Sequence, residues 1–256
     1  MRLLGKNTVV YGAGWGIGRE VALAFAGAGA RVYLAGRARD SLRWVAHEIK
    51  EAGGRAEVTV VDPLDPEGIE RQLSWILHVG GTLDVSFNLT SYEPKLDPRL
   101  TGLTEEAFSH AAFTRVRSNF ITATAAARKM AYQGTGAILA RVDGTPSQPG
   151  NFGGFAIGSA ALAEVFRQLE KEVGPRGVRI ACLSGMGTPE HPRLDGLIDA
   201  LTPIEENGSR PRGALDQYGG VRTPPAPIGD FASASDVRTS GRMISLPTAE
   251  AVVANC

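Results

Sequence analysis

The stretch that decides the fold is Tyr11–Gly18, with the sequence YGAGWGIG. Its first residue ends the apolar run Thr8–Tyr11, and an alanine-rich segment follows it directly. The stretch therefore connects a predicted strand to a predicted helix. In that setting Gly12 forms a tight turn, Gly16 lets backbone N–H groups approach a pyrophosphate, and Gly18 permits close packing of helix on strand. The alternative is a glycine-rich turn without a ligand. The stretch predicts a dinucleotide site with the contact residues Gly12, Gly14, Gly16, Ile17 and Gly18.

Outward from this loop, short apolar runs alternate with amphipathic segments of helical period as far as about residue 185. This alternation predicts an α/β fold, a single-domain Rossmann-type doubly wound parallel sheet with helices on both faces. The predicted strands are Thr8–Tyr11, Arg31–Ala35, Glu57–Val61, Leu83–Asn88, Gly136–Val142 and Arg179–Leu183. The predicted helices are Gly18–Ala26, Ser41–Ala52, Pro66–Val79, about Thr104–Tyr132 and Gly158–Val173.

The last quarter of the chain has a different composition. Seven of the 15 prolines lie within residues 187–245, where regular periodicity becomes scarce. We expect a single domain over residues 1–256, in which 187–245 is a loop-rich substrate or lid region. One short amphipathic helix is predicted at Leu194–Leu201.

Composition excludes several classes of protein. The 27 Lys and Arg balance the 27 Asp and Glu, and a net charge of zero argues against a nucleic-acid partner. Two cysteines, Cys182 and Cys256, make no disulfide framework, so we expect a cytoplasmic protein. No apolar stretch has the length of a signal or membrane-spanning helix, and the four histidines share no metal-ligand spacing. Neither a membrane nor a metal is expected.

The second predicted strand ends in Ala35–Arg39, where dinucleotide folds often carry an acid that binds the ribose 2′-hydroxyl. No acid occurs in this segment. Arg37, with Arg39 as a further candidate, could instead pair with a 2′-phosphate, which favours NADP(H) over NAD(H). The alternative is a solvated basic turn.

From Gly5 to about Thr188 the chain resembles the short-chain dehydrogenase/reductase family. The resemblance rests on the glycine loop and on four further features in the family's order and spacing. These are Asp62, the segment Leu83–Asn88, Asn119 and the segment Gly174–Ile180.

The resemblance implies roles for individual residues. Asp62 would contact the adenine, and Asn88 would lie beside the inner edge of the cofactor. The long helix that contains Asn119 would be available for packing in a homodimer or homotetramer. For the end of the chain two alternatives remain: residues 239–246 form the family's seventh strand, which we favour, or residues 246–252 begin the preceding helix and the sheet stays incomplete.

The catalytic pair of the family is missing. Its Tyr-x-x-x-Lys motif falls on Phe155 and Ser159, and neither side chain can transfer a proton as a phenol does or supply a charge as an amine does. The family's serine falls on Asp143, although one residue of slippage would move it to Val142 or Gly144. Of the four usual catalytic residues, Asn119 alone is clearly retained.

Asp143 is therefore the candidate acid or base, with Asn119 as the second catalytic candidate. A carboxyl group at the mouth of a buried sheet can have a raised pKa; the alternative is a turn-forming aspartate before Gly144. The predicted function is an NADP(H)-binding oxidoreductase that acts on a carbonyl or alcohol group of a small organic substrate. Two alternatives are a non-redox enzyme, such as an isomerase, dehydratase or cyclase, and a catalytically inactive cofactor-binding protein.

Overall fold

A computed structural model describes residues 2–90, 100–142, 153–183, 194 and 197–201. Its strands are β1 Asn7–Tyr11, β2 Arg31–Gly36, β3 Arg55–Val60, β4 Val85–Asn88, β5 Gly136–Arg141 and β6 Val178–Leu183. Its α-helices are α1 Gly16–Gly27, α2 Arg39–Glu51, α3 Pro66–Gly80, α4 Glu105–Gln133, α5 Gly153–Val173 and the short α6 Leu197–Ala200. Leu100–Gly102 and Gly174–Arg176 form 3-10 turns.

The strands form one parallel sheet in the order β3-β2-β1-β4-β5-β6. The chain proceeds from β1 outward to β3 and then returns to the other side of β1, so the strand order reverses between β1 and β4. Their last residues, Tyr11 and Asn88, face each other in the register. In open α/β sheets ligands bind outside the carboxyl ends of the strands at such a reversal. The topology therefore places a site above Tyr11 and Asn88.

Helices cover both faces of the sheet, as predicted. Successive strand residues point to opposite faces, and Val10 packs into a cluster with α1 and α2 whereas Val9 packs into a second cluster with α3, α4 and α5. Because both faces are buried, the central strand β1 consists of buried residues throughout. The predicted fold class is confirmed.

Two predicted boundaries were wrong by several residues. The helix predicted to start at Gly158 begins at Gly153. The sequence did not indicate this start, because the first turn contains two glycines and glycine has a low helix propensity. The helix predicted at Leu194–Leu201 is shorter and spans Leu197–Ala200. The rest of the 187–245 region and the proposed seventh strand lie outside the described residues.

Candidate functional site

A cleft opens at the carboxyl ends of the strands, at the reversal between β1 and β4. It holds about 750 Å³ of empty space, part of it open to solvent. Arg37 and Arg141 are its ionisable residues within the described part of the chain, and no described lining residue is acidic. The other lining residues are Gly12, Gly14, Trp15, Gly16, Ile17, Gly18, Gly36, Ala38, Ser41, Leu42, Pro63, Leu89 and Thr90.

Two glycines of the loop are required by close backbone contacts. Gly12 has φ +77°, and a Cβ added there would lie 2.8 Å from the backbone of Leu89 and Thr90. A Cβ on Gly18 would lie 2.1 Å from the carbonyl oxygen of Gly12, because the first turn of α1 packs directly on the turn after β1. Even a methyl group would therefore displace the loop.

The N-terminus of α1 faces the cleft without a side-chain cap. Trp15 occupies the N-cap position in an extended conformation, and its side chain accepts no hydrogen bond from the helix. By contrast, Asp65 caps α3 and Thr104 caps α4. The first N–H groups of α1 are thus left for another acceptor, and a phosphate oxygen is well suited to them. Trp15 is 58% exposed at the rim and leaves the space beside Gly16 open.

The predicted adenine end of the cleft is bordered by β2 and β3. Arg37 follows β2 and is an exposed lining residue. Asp62, the expected adenine contact, is half-buried, and its Oδ1 accepts a hydrogen bond from the backbone N–H of Leu64 at 2.9 Å. The neighbouring Pro63 lines the cleft. Asp62 therefore shapes the turn that presents Pro63.

Asn88 is buried at the end of β4, where the sequence placed it. Its Nδ2 donates to Thr122 Oγ1 at 3.0 Å, and its Oδ1 accepts from the backbone N–H of Thr90 at 3.0 Å. Both ends of the amide are thus bound within the protein. Asn88 fixes the Leu89–Thr90 segment, which lines the cleft.

Asn119 lies on α4 and is 2% exposed. Its Nδ2 donates to the carbonyl oxygen of Arg115 at 3.0 Å. None of the described residues donates a hydrogen bond to its buried Oδ1. A buried acceptor without a donor is costly in free energy, so a water molecule is the natural partner of this oxygen; Asn119 is not among the described residues that line the cleft.

Sequence reasoning missed two arginines, one that lines the cleft and one that is hydrogen-bonded to it. Arg141, the last residue of β5, lines the cleft. Arg115 on α4 donates from Nη1 to Ser159 Oγ at 3.2 Å and from Nη2 to the backbone carbonyl oxygen of Arg141. The signal for Arg115 was its position one helical turn before Asn119, but nothing local indicates that it reaches Ser159.

Asp143 lies outside the described residues, so its predicted role stays a prediction. Phe155 belongs to the first turn of α5. Within the described ranges no group of His, Cys, Asp and Glu is placed to hold a metal ion. None of the helices found there is long and apolar enough to cross a membrane.

The comparison with protein families decides the identity of the fold. A family model described as "Enoyl-(Acyl carrier protein) reductase" matches residues 12–197, more than half of the chain. The chain belongs to the short-chain dehydrogenase/reductase family. This is a family of oxidoreductases, and the region of the chain that matches it contains the glycines of the loop, Arg115 and Ser159.

Three similar proteins illustrate the family. Short chain aldehyde dehydrogenase 1 of Euphorbia lathyris is 29% identical over 206 residues, which cover 78% of this chain and 70% of that protein. A short-chain type dehydrogenase/reductase from Mycobacterium marinum is 30% identical with a TM-score of 0.66, over 71% of this chain and 74% of that one. A 7α-hydroxysteroid dehydrogenase complexed with NADH and 7-oxo glycochenodeoxycholic acid is 26% identical with a TM-score of 0.65, over 78% and 74%.

Proposed function

We propose that this protein is an NADP(H)-dependent oxidoreductase that acts on a carbonyl or alcohol group of a small organic substrate. The observation that carries the proposal is the cleft itself. It combines an uncapped helix N-terminus, two glycines at which there is no room for a Cβ atom, and Arg37, which follows β2. This set suits a dinucleotide that bears an additional phosphate.

The amides of α1 would hold the pyrophosphate. Gly16, Ile17 and Gly18 form the first turn of this helix and all line the cleft. The positive end of the helix dipole adds to their N–H groups. The missing side-chain cap supports the proposal, because an acidic or hydroxyl cap would occupy the same donors.

Arg37 would select the phosphorylated cofactor. It lines the cleft beside Ala38 and Ser41, and the described lining of the cleft includes no carboxylate that could accept a ribose 2′-hydroxyl. A guanidinium binds phosphate oxygens through charge-assisted hydrogen bonds. The 26%-identical hydroxysteroid dehydrogenase was solved with NADH, so this selection is proposed for the present chain on its own residues.

The bound cofactor would exchange a hydride with the carbon of the substrate carbonyl or alcohol, while a proton moves to or from its oxygen. Phe155 has no proton to give. We assign the proton transfer to Asp143 and a supporting position to Asn119, whose Oδ1 is a buried acceptor without a donor among the described residues. Proton transfer by a positioned carboxyl group contributes roughly 10²- to 10⁴-fold in rate.

One observation favours a second candidate, a cofactor-binding protein without turnover. Ser159 is buried and accepts a hydrogen bond from Arg115, so the motif position is integrated into the packing of α4 and α5. Oxidation of NADPH, followed by the absorbance of the reduced nicotinamide in the presence of small ketones and aldehydes, separates the candidates. Turnover supports the oxidoreductase, and binding without turnover supports the second candidate.

Titration of NADPH and NADH, followed by nucleotide fluorescence and calorimetry, tests the choice of cofactor. Losing a charge-assisted contact of about 1.5–3 kcal/mol weakens binding roughly 10- to 100-fold. We expect Arg37→Ala to weaken the binding of NADPH by this factor and to leave the binding of NADH unchanged. Arg55→Ala is the control, because Arg55 begins β3 and therefore lies at the amino ends of the strands, whereas the cleft lies at their carboxyl ends. Tighter binding of NADH than of NADPH to the unchanged protein would refute the assignment.

Assembly and location complete the proposal. We infer a homodimer or homotetramer that packs through α4, where the aromatic rings of Phe113 and Phe120 are 47% and 52% exposed. Light scattering at micromolar concentration measures this state, and a monomer would exclude it. We also propose a single domain over residues 1–256 and a cytoplasmic location, which the scarcity of cysteine favours.

A further inference from the structure

A cation from α4 is hydrogen-bonded to a residue that lines the cleft. Arg115 lies on α4, but its guanidinium bridges the other two elements at this point of the fold. It donates to Ser159 Oγ on α5 at 3.2 Å and to the backbone carbonyl oxygen of Arg141 at the end of β5. Arg141 is a lining residue of the cleft, so the Arg115 guanidinium is one hydrogen bond away from the cleft wall.

The packing of α5 on α4 explains why a serine stands at position 159. A Cβ on Gly158 would lie 2.2 Å from the carbonyl oxygen of Ala112, so the two helix backbones are in close contact here. Ser159 is 3% exposed in this contact. A long side chain at 159 would compete with the guanidinium for the same buried space, whereas serine leaves room and offers an oxygen acceptor.

The charge of Arg115 is permanent. A guanidinium does not lose its proton in proteins, and here it is half-buried, where a charge acts more strongly than in bulk water. Ser159 Oγ accepts from it, so the hydroxyl proton of Ser159 can donate elsewhere. The contact between α4 and α5 therefore holds a fixed cation and a hydroxyl group next to Arg141.

Asn119 provides an independent observation. It lies one turn beyond Arg115, and its Nδ2 donates to the Arg115 carbonyl oxygen at 3.0 Å. Its Oδ1 is buried, and no described residue donates to it. The same turn of α4 thus places a cation beside a buried acceptor that has no donor among the described residues.

We propose that Arg115 adds a positive charge next to the wall of the cofactor cleft, in place of the amine missing from position 159. It holds the inner half of the bound dinucleotide by its charge and orients Ser159 as a positioning residue. The inference rests on the proposed function, because it takes the ligand to be NADP(H). The inference adds Arg115 to the proposed site. Arg115 lies on a different helix from the missing amine and is 44 positions away from position 159 in the chain.

An exchange of the two side chains tests this. Arg115→Ser is compared with the double variant Arg115→Ser/Ser159→Arg, which restores a guanidinium to the contact from the opposite helix. Arg117→Ser is the control, because Arg117 lies on the exposed side of α4. The dissociation constant of NADPH is measured by nucleotide fluorescence, and thermal unfolding reports whether each variant is folded.

We expect Arg115→Ser to raise the dissociation constant of NADPH roughly 10- to 100-fold. The control should stay within about twofold, and the exchange should recover most of the loss. Thermal unfolding separates the two roles: loss of a purely structural contact lowers the unfolding midpoint, whereas loss of a charge that acts on the cofactor raises the NADPH dissociation constant of a variant that stays folded. Where Arg115→Ser does not fold, Arg115→Gln keeps an N–H donor without the charge, and the same loss of affinity is expected.

Unchanged affinity in a folded Arg115→Ser or Arg115→Gln variant would overturn the inference, as would an exchange variant that folds but recovers no affinity. The result for Arg37→Ala separates this failure from that of the proposed function. If Arg37→Ala weakens NADPH while Arg115→Ser does not, the cofactor assignment stands and the role of Arg115 falls. If the unchanged protein binds no NADPH, both fall together.

Discussion

Replacing Gly12 by alanine tests the close contact between the glycine loop and the end of β4. The added Cβ would lie 2.8 Å from the backbone carbon and oxygen of Leu89 and from Cα of Thr90. This segment cannot easily move. The N–H of Leu89 donates to the Tyr11 carbonyl oxygen at 2.9 Å, and the N–H of Thr90 donates to Asn88 Oδ1 at 3.0 Å.

Gly53 is a matched control for this change. Its φ is +78°, nearly equal to the +77° of Gly12, but an added Cβ would meet no atom within 4 Å. A side chain in this left-handed conformation costs roughly 1–2 kcal/mol, and alanine recovers about 0.4–1 kcal/mol by restricting the unfolded chain. Overpacking against fixed backbone adds about 1–3 kcal/mol. We expect losses of about 1 kcal/mol for Gly53→Ala and about 2–4 kcal/mol for Gly12→Ala.

Urea unfolding followed by circular dichroism measures both losses. Because Gly12 also lines the cleft, we expect weaker NADPH binding in Gly12→Ala and unchanged binding in Gly53→Ala. The reasoning would be refuted if the two variants lost the same free energy of unfolding. It would also fail if Gly12→Ala unfolded earlier yet bound NADPH as tightly as the unchanged protein.

Two further predictions concern a buried amide and an ion pair. Asn88→Ala removes the hydrogen bonds to Thr122 Oγ1 and from the Thr90 N–H, so we expect it to lower the free energy of unfolding by about 2 kcal/mol; an unchanged thermal midpoint would contradict the role of this amide. The hydrogen bond from Arg167, with a second from Gln168, lowers the pKa of Glu164 from its ordinary 4.5 to about 2. A lowered carboxyl pKa contributes stability above pH 4.5 that is lost as the pH falls toward 2. The side chain is 47% exposed, so solvent screening keeps this contribution small. Between pH 4.5 and pH 2 the urea midpoint should therefore fall slightly more steeply for the unchanged protein than for Glu164→Gln, and equal slopes would count against the ion pair.

The main elements were predictable because their signals are local. Apolar alternation and helical periodicity depend on neighbours within one or two turns, and they located all six described strands. The glycine loop was equally clear, since the tight turn at Gly12 and the helix contact at Gly18 exclude a Cβ. The start of α5 was not predictable, because tertiary packing rather than helix propensity stabilises its glycine-containing first turn.

The functions of single polar residues were harder to predict. Asn88 was expected beside the cofactor, and it is found at that edge with its amide bound to Thr122 and Thr90. Asp62 was expected at the adenine, and its carboxylate accepts the N–H of Leu64. Asn88 ends β4 and Asp62 lies two residues beyond β3, and the cofactor contacts expected of both residues stay predictions. The hydrogen-bond partners depend on how neighbouring segments meet, and spacing does not contain that information.

By itself the sequence determined a parallel α/β sheet with a glycine loop that leads into a helix, because backbone conformation and hydrophobic periodicity are properties of adjacent residues. It also showed that position 159 carries no amine. Only the tertiary structure decided that the guanidinium of Arg115 reaches Ser159 and the end of β5. Such a contact depends on the close approach of α4 and α5 at Gly158 and Ala112, which arises when two helices pack on the same face of a sheet.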